Sequence, residues 1–328
     1  MSDFWYGKTV AVTGGCGFLG SHVVDELAAR GCRRILVYDD LSRGSLENVW
    51  KHINAGIVDH YSHDLAAVVP VFPPRLDAVI HMAALVASIS YNAAHHWEMC
   101  TRNMRINLSV AEAVKVARPT MWVACSTACV YPSTAPVPTP ESAADFCDPE
   151  PTNHGYGVSK WALEQMAKYL YREHGIPAVV TRFNNALGLR DYYDVETSHV
   201  APALIKRVCD GEDPIVVWGT GTQSRVLVDA RDIARALVDL AETPSAHDAQ
   251  AVNIGHENEV TIAELARMIC QIAGRPEARI IFDTSKPDGY PRRAADTTRL
   301  RGLVGWVPDT PLVETLTEMI ADYRERLQ

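Results

Sequence analysis

The sequence predicts an α/β fold class: a doubly wound parallel sheet with a smaller C-terminal, substrate-binding lobe. Three observations carry this. Short apolar runs alternate with helical patterns through the first half of the chain, a glycine-rich turn follows the first run, and an acidic pair closes the second. Strands that alternate with helices return parallel to one another. Helices on both faces then bury them fully, so the runs are apolar throughout rather than at every second residue.

The first run, Thr9–Thr13, passes straight into Gly14-Gly15-Cys16-Gly17-Phe18-Leu19-Gly20 and a helix over Leu19–Arg30. Gly14, Gly17 and Gly20 permit a tight turn and let backbone N–H groups approach a pyrophosphate, while the helix start at Phe18 and Leu19 adds partial positive charge. This is the Rossmann-like arrangement. The second run, Ile35–Tyr38, ends in Asp39-Asp40, about twenty residues beyond the last glycine. A carboxylate there accepts hydrogen bonds from both ribose hydroxyls and repels a 2′-phosphate. NAD is therefore expected over NADP, with Ser42 in the binding set and Arg43 as a partial offset to the repulsion.

Asp64 and Leu65 follow a third strand, where an aspartate holds the adenine amino group or caps a helix. The fourth run, Ala78–His81, closes on Met82, Ala83 and Ala84, small enough at Ala83 for a cofactor to cross the strand ends. His81 alone reads as a core histidine. A helical pattern over Asn103–Ala117 leads to the fifth run, Met121–Cys125, and on to Ser126, Thr127, Ala128 and Cys129. At that strand end a hydroxyl from Thr127 or Ser126 can hydrogen-bond a reacting oxygen. The stretch Pro132–Pro151, rich in Pro, Ser and Thr, predicts a surface loop.

Tyr156 and Lys160 open the next helix in the sequence YGVSK, and a spacing of four puts both on one helical face. An ammonium there, helped by the charge of a nicotinamide, is expected to lower the tyrosine pKa and make it a base. The sixth run is Ala178–Arg182. Beyond Gly188 the pattern loosens into a helix over Val200–Cys209, a turn at Gly219–Gly221 and a helix near Thr261–Ala273. A dinucleotide domain is expected over residues 1–185 and a substrate lobe mainly over 186–328, the chain crossing back around 225–255.

The 328 residues carry a formal net charge of -9, which argues against a non-specific nucleic-acid binder and leaves any anionic substrate to local arginines. Eight cysteines occur with no CxxC pair, so no structural zinc or other metal site is expected. Scattered cysteines in a long chain suggest a reducing compartment. A strand begins almost at once, leaving no room for a signal peptide, and no apolar run approaches the ~20 residues that span a bilayer. A cytoplasmic enzyme without membrane contact is the expectation.

Taken together, GGCGFLG, HMAA, CSTACVYP, YGVSK and RFNNALG resemble the extended short-chain dehydrogenase/reductase family, in its NDP-sugar epimerase and dehydratase branch. The later pieces GTGTQSRVLVDARDIA, NIGHENEVTIAELA and RRAAD continue the match over nearly the whole chain. The resemblance implies that Thr127, Tyr156 and Lys160 form the catalytic triad, with Ser126 and Asn103 supporting the cofactor and the active-site backbone. It also implies that Asn185, Arg225 and one or both of Arg292 and Arg293 hold a nucleotide diphosphate, with Ser88 and Val200 on the substrate side. Guanidinium forks suit phosphate oxygens. A homodimer through two helices per subunit is implied as well.

Members of this branch begin by oxidising a sugar hydroxyl, usually at C4. The 4,6-dehydratases carry Asp-Glu after the catalytic threonine, where this chain has Ala128 and Cys129, and the pentose-forming decarboxylases place Glu at Cys129. Both reactions are demoted. STACVYP is similar to SSACIYP of GDP-mannose 3,5-epimerases, which use that cysteine as acid/base. Those enzymes add a lysine before Ala-Pro-Ala. Here Ala201-Pro202-Ala203 follows Val200 and His199, so His199 takes over or only one centre is inverted. The competing readings are a 4-epimerase with Cys129 a bystander and a non-catalytic NAD-sensing protein. The nucleotide base and the sugar stay open.

Overall fold

The computed structural model describes residues 3–195, 198–285 and 290–327. Six strands come first: β1 (Thr9–Thr13), β2 (Arg34–Asp39), β3 (Val58–Ser62), β4 (Ala78–His81), β5 (Met121–Thr127) and β6 (Ala178–Phe183). Among them run helices α1 (Phe18–Ala29), α2 (Trp50–Asn54), α3 (Ile89–Ala94), α4 (His96–Ala117) and α5 (His154–His174). The chain then forms β7 (Asn185–Leu187), α6 (Val200–Cys209), β8 (Ile215–Trp218), β9 (Ser224–Asp229), α7 (Ala230–Glu242) and β10 (Asp248–Ile254). It closes with β11 (Glu259–Thr261), α8 (Ile262–Ile272), β12 (Ile280–Asp283), β13 (Arg292–Arg293), α9 (Thr298–Val304) and α10 (Leu312–Arg326).

The main sheet has seven strands in the order β10-β6-β5-β4-β1-β2-β3, every neighbour parallel. This is the Rossmann-like α/β architecture that the strand runs predict. Side chains alternate across it. Val10, Val12 and Val123 pack under α1 and α7, whereas Ala11, Trp122 and Ala124 pack under α4 and α5. The sheet reverses its order between β1 and β4, which leaves a crevice at the strand C-termini.

A second apolar centre joins α6, α8 and α10 around Leu204, Ile205, Leu265, Ile269, Leu316 and Met319. Two small sheets flank it: β8 with β12, and β9 with β7, β11 and β13. After β9 the chain returns: α7 packs on α1, and β10 adds to the edge of β6. Helix α8 begins with a capping box in which Thr261 and Glu264 satisfy each other's backbone N–H groups.

Two expectations need correcting here. Helix α4 starts at His96, about two turns before Asn103, because residues 96–102 are helical without an apolar stripe, Trp97 being 82% exposed. The Pro132–Pro151 segment is more than a surface loop. Thr139 bridges to Ala295, Ala144 is buried, and Glu150 ends up inside the molecule. Its partners lie about 150 residues downstream, beyond what local composition reports.

Candidate active site

A cavity of about 810 Å³ runs along the C-terminal ends of the main sheet and into the second apolar centre. Its first part is the glycine-rich turn. Gly14 adopts φ +70°, and a Cβ there would stand 2.8 Å from the Ala83 backbone, so only glycine lets β1 and β4 end side by side. Gly17 caps α1 without a side-chain oxygen. The N–H groups of Phe18, Leu19 and Gly20 therefore lack helical acceptors, and all three residues line the cavity. That is a built anion seat, and it fits a dinucleotide pyrophosphate.

Asp39, Asp40, Ser42, Asp64, Leu65 and Ala83 line the same end. Asp39 is braced from the backbone: its Oδ2 accepts Cys16 N–H at 2.9 Å and its Oδ1 accepts Leu41 N–H at 2.9 Å. Burial raises its pKa, against those two bonds. Asp64 accepts Ala66 N–H at 2.9 Å as a turn cap, and Arg102 on α4 stands 3.6 Å from both Asp40 and Asp64. Arg43 is held away from the acidic pair. It donates to Val86 O, and its guanidinium lies 5.2 Å from the Tyr192 ring centroid.

At the centre stand Thr127, Ala128, Cys129, Tyr156 and Lys160. Gly157 makes the approach possible, since a Cβ there would lie 2.6 Å from Cys129 O and 2.5 Å from Pro149 Cβ. Thr127 Oγ1 accepts Cys129 N–H at 3.2 Å, fixing the turn that presents the thiol. Lys160 is buried and donates to Cys125 O at 2.9 Å. Burial pulls its pKa down to about 8.

The expected lowering of the phenol pKa counts on the charge of a nicotinamide as well as on the lysine, and without that charge the phenol is not acidified. Lys160 Nζ lies 6.0 Å from the Tyr156 ring centroid, and burial, with the Cys129 and Cys125 thiols adding to it, pushes the phenol well above its ordinary value. Desolvation outweighs a cation at that range.

Ser126 points away from the cavity, and Asn103 acts on the backbone beside it. Strand alternation turns Ser126 Oγ to Glu164 at 2.6 Å, where Glu164 is ion-paired to the buried Arg182. Asn103 clasps Leu85 through bonds of 2.8 and 3.0 Å, fixing the backbone that borders the cavity. Ser88, Asn185, Val200 and Arg225 line the cavity, and so does His199.

The two adjacent arginines of β13 part company. Arg293 turns inward, whereas Arg292 turns out to Glu259 at 61% side-chain exposure and contributes nothing to the cavity. Arg225 is buried, gives hydrogen bonds only to Ser224 O and Tyr290 O, and has no carboxylate partner among the described residues. A buried cation in that state calls for an anion.

Several lining residues escaped the sequence reading. Asn92 Oδ1, Asn184 Nδ2, Arg190 Nη1, Asp191 Oδ2 and Gln223 Oε1 are buried atoms without hydrogen-bond partners among the described residues, and all five residues border the cavity. Buried polar atoms are normally satisfied, so such a cluster marks ligand contacts. Glu150 also lies here, and only its Pro-flanked position just before the Tyr156 helix could have signalled it.

A glycine-cradled anion seat, a braced acidic pair and a Tyr-Lys helix at the switch point define a nicotinamide-dependent enzyme of the Rossmann-like class. The chain belongs to the NAD dependent epimerase/dehydratase family, whose model matches residues 10–255. It is 31% identical to a probable GDP-L-fucose synthase 1 from Oryza sativa subsp. japonica, over 98% of this chain and 93% of that one. It is 30% identical to dTDP-4-dehydro-6-deoxy-D-allose reductase from Streptomyces bikiniensis, over 98% of both. Among solved structures it is similar to UDP-N-acetylglucosamine 4-epimerase from Methanobrevibacter ruminantium M1 (TM-score 0.83, 26% identity, 98% and 99% covered). These names support the extended family and an enzyme. They do not single out the GDP-mannose 3,5-epimerases that the STACVYP motif resembles.

Proposed function

We propose that this chain epimerises a nucleotide-diphosphate sugar through a transient C4 ketone, using NAD recycled within each turnover. The observation that carries the reading is that Thr127, Cys129 and Tyr156 face one cavity together with the carboxylate-free Arg225. The anion seat at Phe18–Gly20 and the acidic pair Asp39-Asp40 would hold the dinucleotide, and two carboxylates beside the ribose favour NAD over its 2′-phosphate form. When bound, the nicotinamide supplies the hydride-carrying ring and, oxidised, a positive charge.

With the positive charge of a bound nicotinamide added to that of Lys160, Tyr156 Oη would stand as the phenolate that takes the proton of the C4 hydroxyl and later returns it, while Thr127 Oγ1 hydrogen-bonds the same oxygen. Lys160, its charge half-lost near pH 8, holds the strand end through Cys125 O. With C4 a ketone, the protons at C3 and C5 become acidic. The Cys129 thiolate removes one, leaving an enolate, and His199 delivers a proton to the opposite face in place of the missing lysine. Arg225 holds the diphosphate.

A homodimer is supported by the apolar side chains that α4 and α5 expose, Trp97 and Tyr169 among them. Cytoplasmic placement is supported by eight free cysteines, and no described helix is long and apolar enough to cross a membrane. A second reading, reduction of a 4-keto nucleotide sugar, is favoured by the similarity to the Streptomyces dTDP-4-dehydro-6-deoxy-D-allose reductase.

The test is incubation with GDP-, UDP-, dTDP-, ADP- and CDP-sugars, and with 4-keto sugars plus reduced cofactor, in deuterated water followed by NMR. Deuterium at C3 or C5, lost by about 10²-fold or more in Cys129→Ala, is expected. Conversion without deuterium uptake would reduce Cys129 to packing and leave simple 4-epimerisation. Stoichiometric consumption of reduced cofactor would select the second reading.

A further inference from the structure

We propose that Glu150 is a positioning residue for the acid/base thiol: its carboxylate clamps the Arg293 guanidinium against the Cys129 sulfur. The cation is thereby committed to the reacting ring and not to the diphosphate. This rests on the reading above, in which Cys129 shuttles a ring proton.

Arg293 Nη1 donates to Cys129 Sγ at 3.7 Å, while Nη2 of the same guanidinium is ion-paired with Glu150. The Tyr290 ring covers one side of that guanidinium at 5.2 Å from its centroid. Glu150 is 2% exposed and is itself braced. Its other oxygen accepts Asn153 Nδ2, and Asn153 Oδ1 in turn accepts Asn92 Nδ2 at 2.7 Å. A carboxylate buried this deeply persists only with a partner, and Arg293 is that partner. The same clamp occupies Arg293, whereas Arg225 has no carboxylate partner among the described residues.

The groups facing the thiol are Tyr156 on α5, Arg225 on β9 and Arg293 on β13, with Glu150 behind the last. When Cys129 gives up its proton, no electrons leave the pair: the S–H bond breaks, and the charge stays on a sulfur already facing an N–H donor. Charge-assisted bonds favour that ionised form.

The thiolate is the nucleophile toward iodoacetamide, so labelling reads this contact without any sugar. Full-length protein and its Glu150→Gln and Arg293→Lys variants are labelled from neutral to alkaline pH, and each cysteine is followed by peptide mass analysis. Exposed Cys147 serves as the reagent control, and buried Cys125 must stay unlabelled in a folded variant.

Glu150→Gln is expected to slow Cys129 labelling about tenfold at neutral pH and move its midpoint up by about one pH unit. Arg293→Lys should do the same, because one ammonium cannot span both partners. Unchanged or faster labelling overturns the proposal, and if Glu150→Gln exposes Cys125, Arg293→Lys alone decides. Deuterium uptake that survives in Cys129→Ala would instead sink the proton-shuttle reading and leave the labelling result standing.

Discussion

His81 is an imidazole that the fold keeps neutral. It is fully buried at the end of β4, its Nδ1 is 2.7 Å from Thr13 Oγ1, and its Nε2 is 3.1 Å from Asn107 Oδ1. Asn107 Nδ2 donates to Ser159 O, so its Oδ1 must accept and Nε2 carries the proton. Thr13 Oγ1 then donates to Nδ1 and accepts Ala83 N–H, which ties the imidazole to the lip of the cofactor cleft. Burial, with the Lys160 charge adding to it, holds the pKa near 3 against an ordinary 6.5. Between those values the unfolded chain binds a proton that the folded chain does not, so stability rises with pH through that window and levels above it. The slope is about 1.4 kcal/mol per pH unit. Urea unfolding at pH 7 and pH 4 should show the native chain losing about 3 kcal/mol more than His81→Gln across that interval. Equal losses would mean that His81 is reached by water or charged in the fold.

At the scale of the element, one substitution should act with opposite sign in two helices. In α5, a Cβ on Gly157 meets Cys129 O and Pro149 at 2.6 and 2.5 Å; in α9, a Cβ on Gly302 meets nothing within 4 Å. Gly302→Ala should therefore stabilise by about 0.5–1 kcal/mol through helix propensity and the unfolded chain. Gly157→Ala should cost about 1–2 kcal/mol, the overpacking outweighing that gain. Chemical denaturation of both variants checks the pair of signs. The same contrast shows what the sequence made legible. The Tyr156–Lys160 spacing, the turn from Gly14 to Gly20 and the acidic end of β2 are local patterns, and each lies at the cavity where its chemistry requires. Alternation also decides which of two neighbours faces inward, as at Ser126 and Thr127 or Arg292 and Arg293. It stays hidden until the register is known, because a run apolar on both faces has no polar side to reveal it. Glu150, Asn92 and Gln223 were missed for a related reason. Each meets the site through segments far apart in the chain, and no short window contains the encounter.

Over the whole molecule, one cavity draws on both apolar centres, so ligands should report on their shared stability. Calorimetry is expected to show that a nucleotide diphosphate at 100 times its Kd adds about 2.7 kcal/mol, and a dinucleotide at its own 100-fold excess about as much. Arg225→Met should abolish the first increment and leave the second. Loss of both would mean that Arg225 holds the fold rather than the phosphate. The return of the chain to the main sheet has a consequence in time. Strand β6 finds its outer neighbour only when β10 is complete, roughly seventy residues later. At ~5–20 residues per second, a ribosome takes roughly 4–14 s to supply it. Throughout that interval the nascent chain carries a bare, apolar strand edge that can pair with any other extended polypeptide. The order of synthesis thus leaves that edge unpaired for as long as translation takes to run from Asn184 to Ile254.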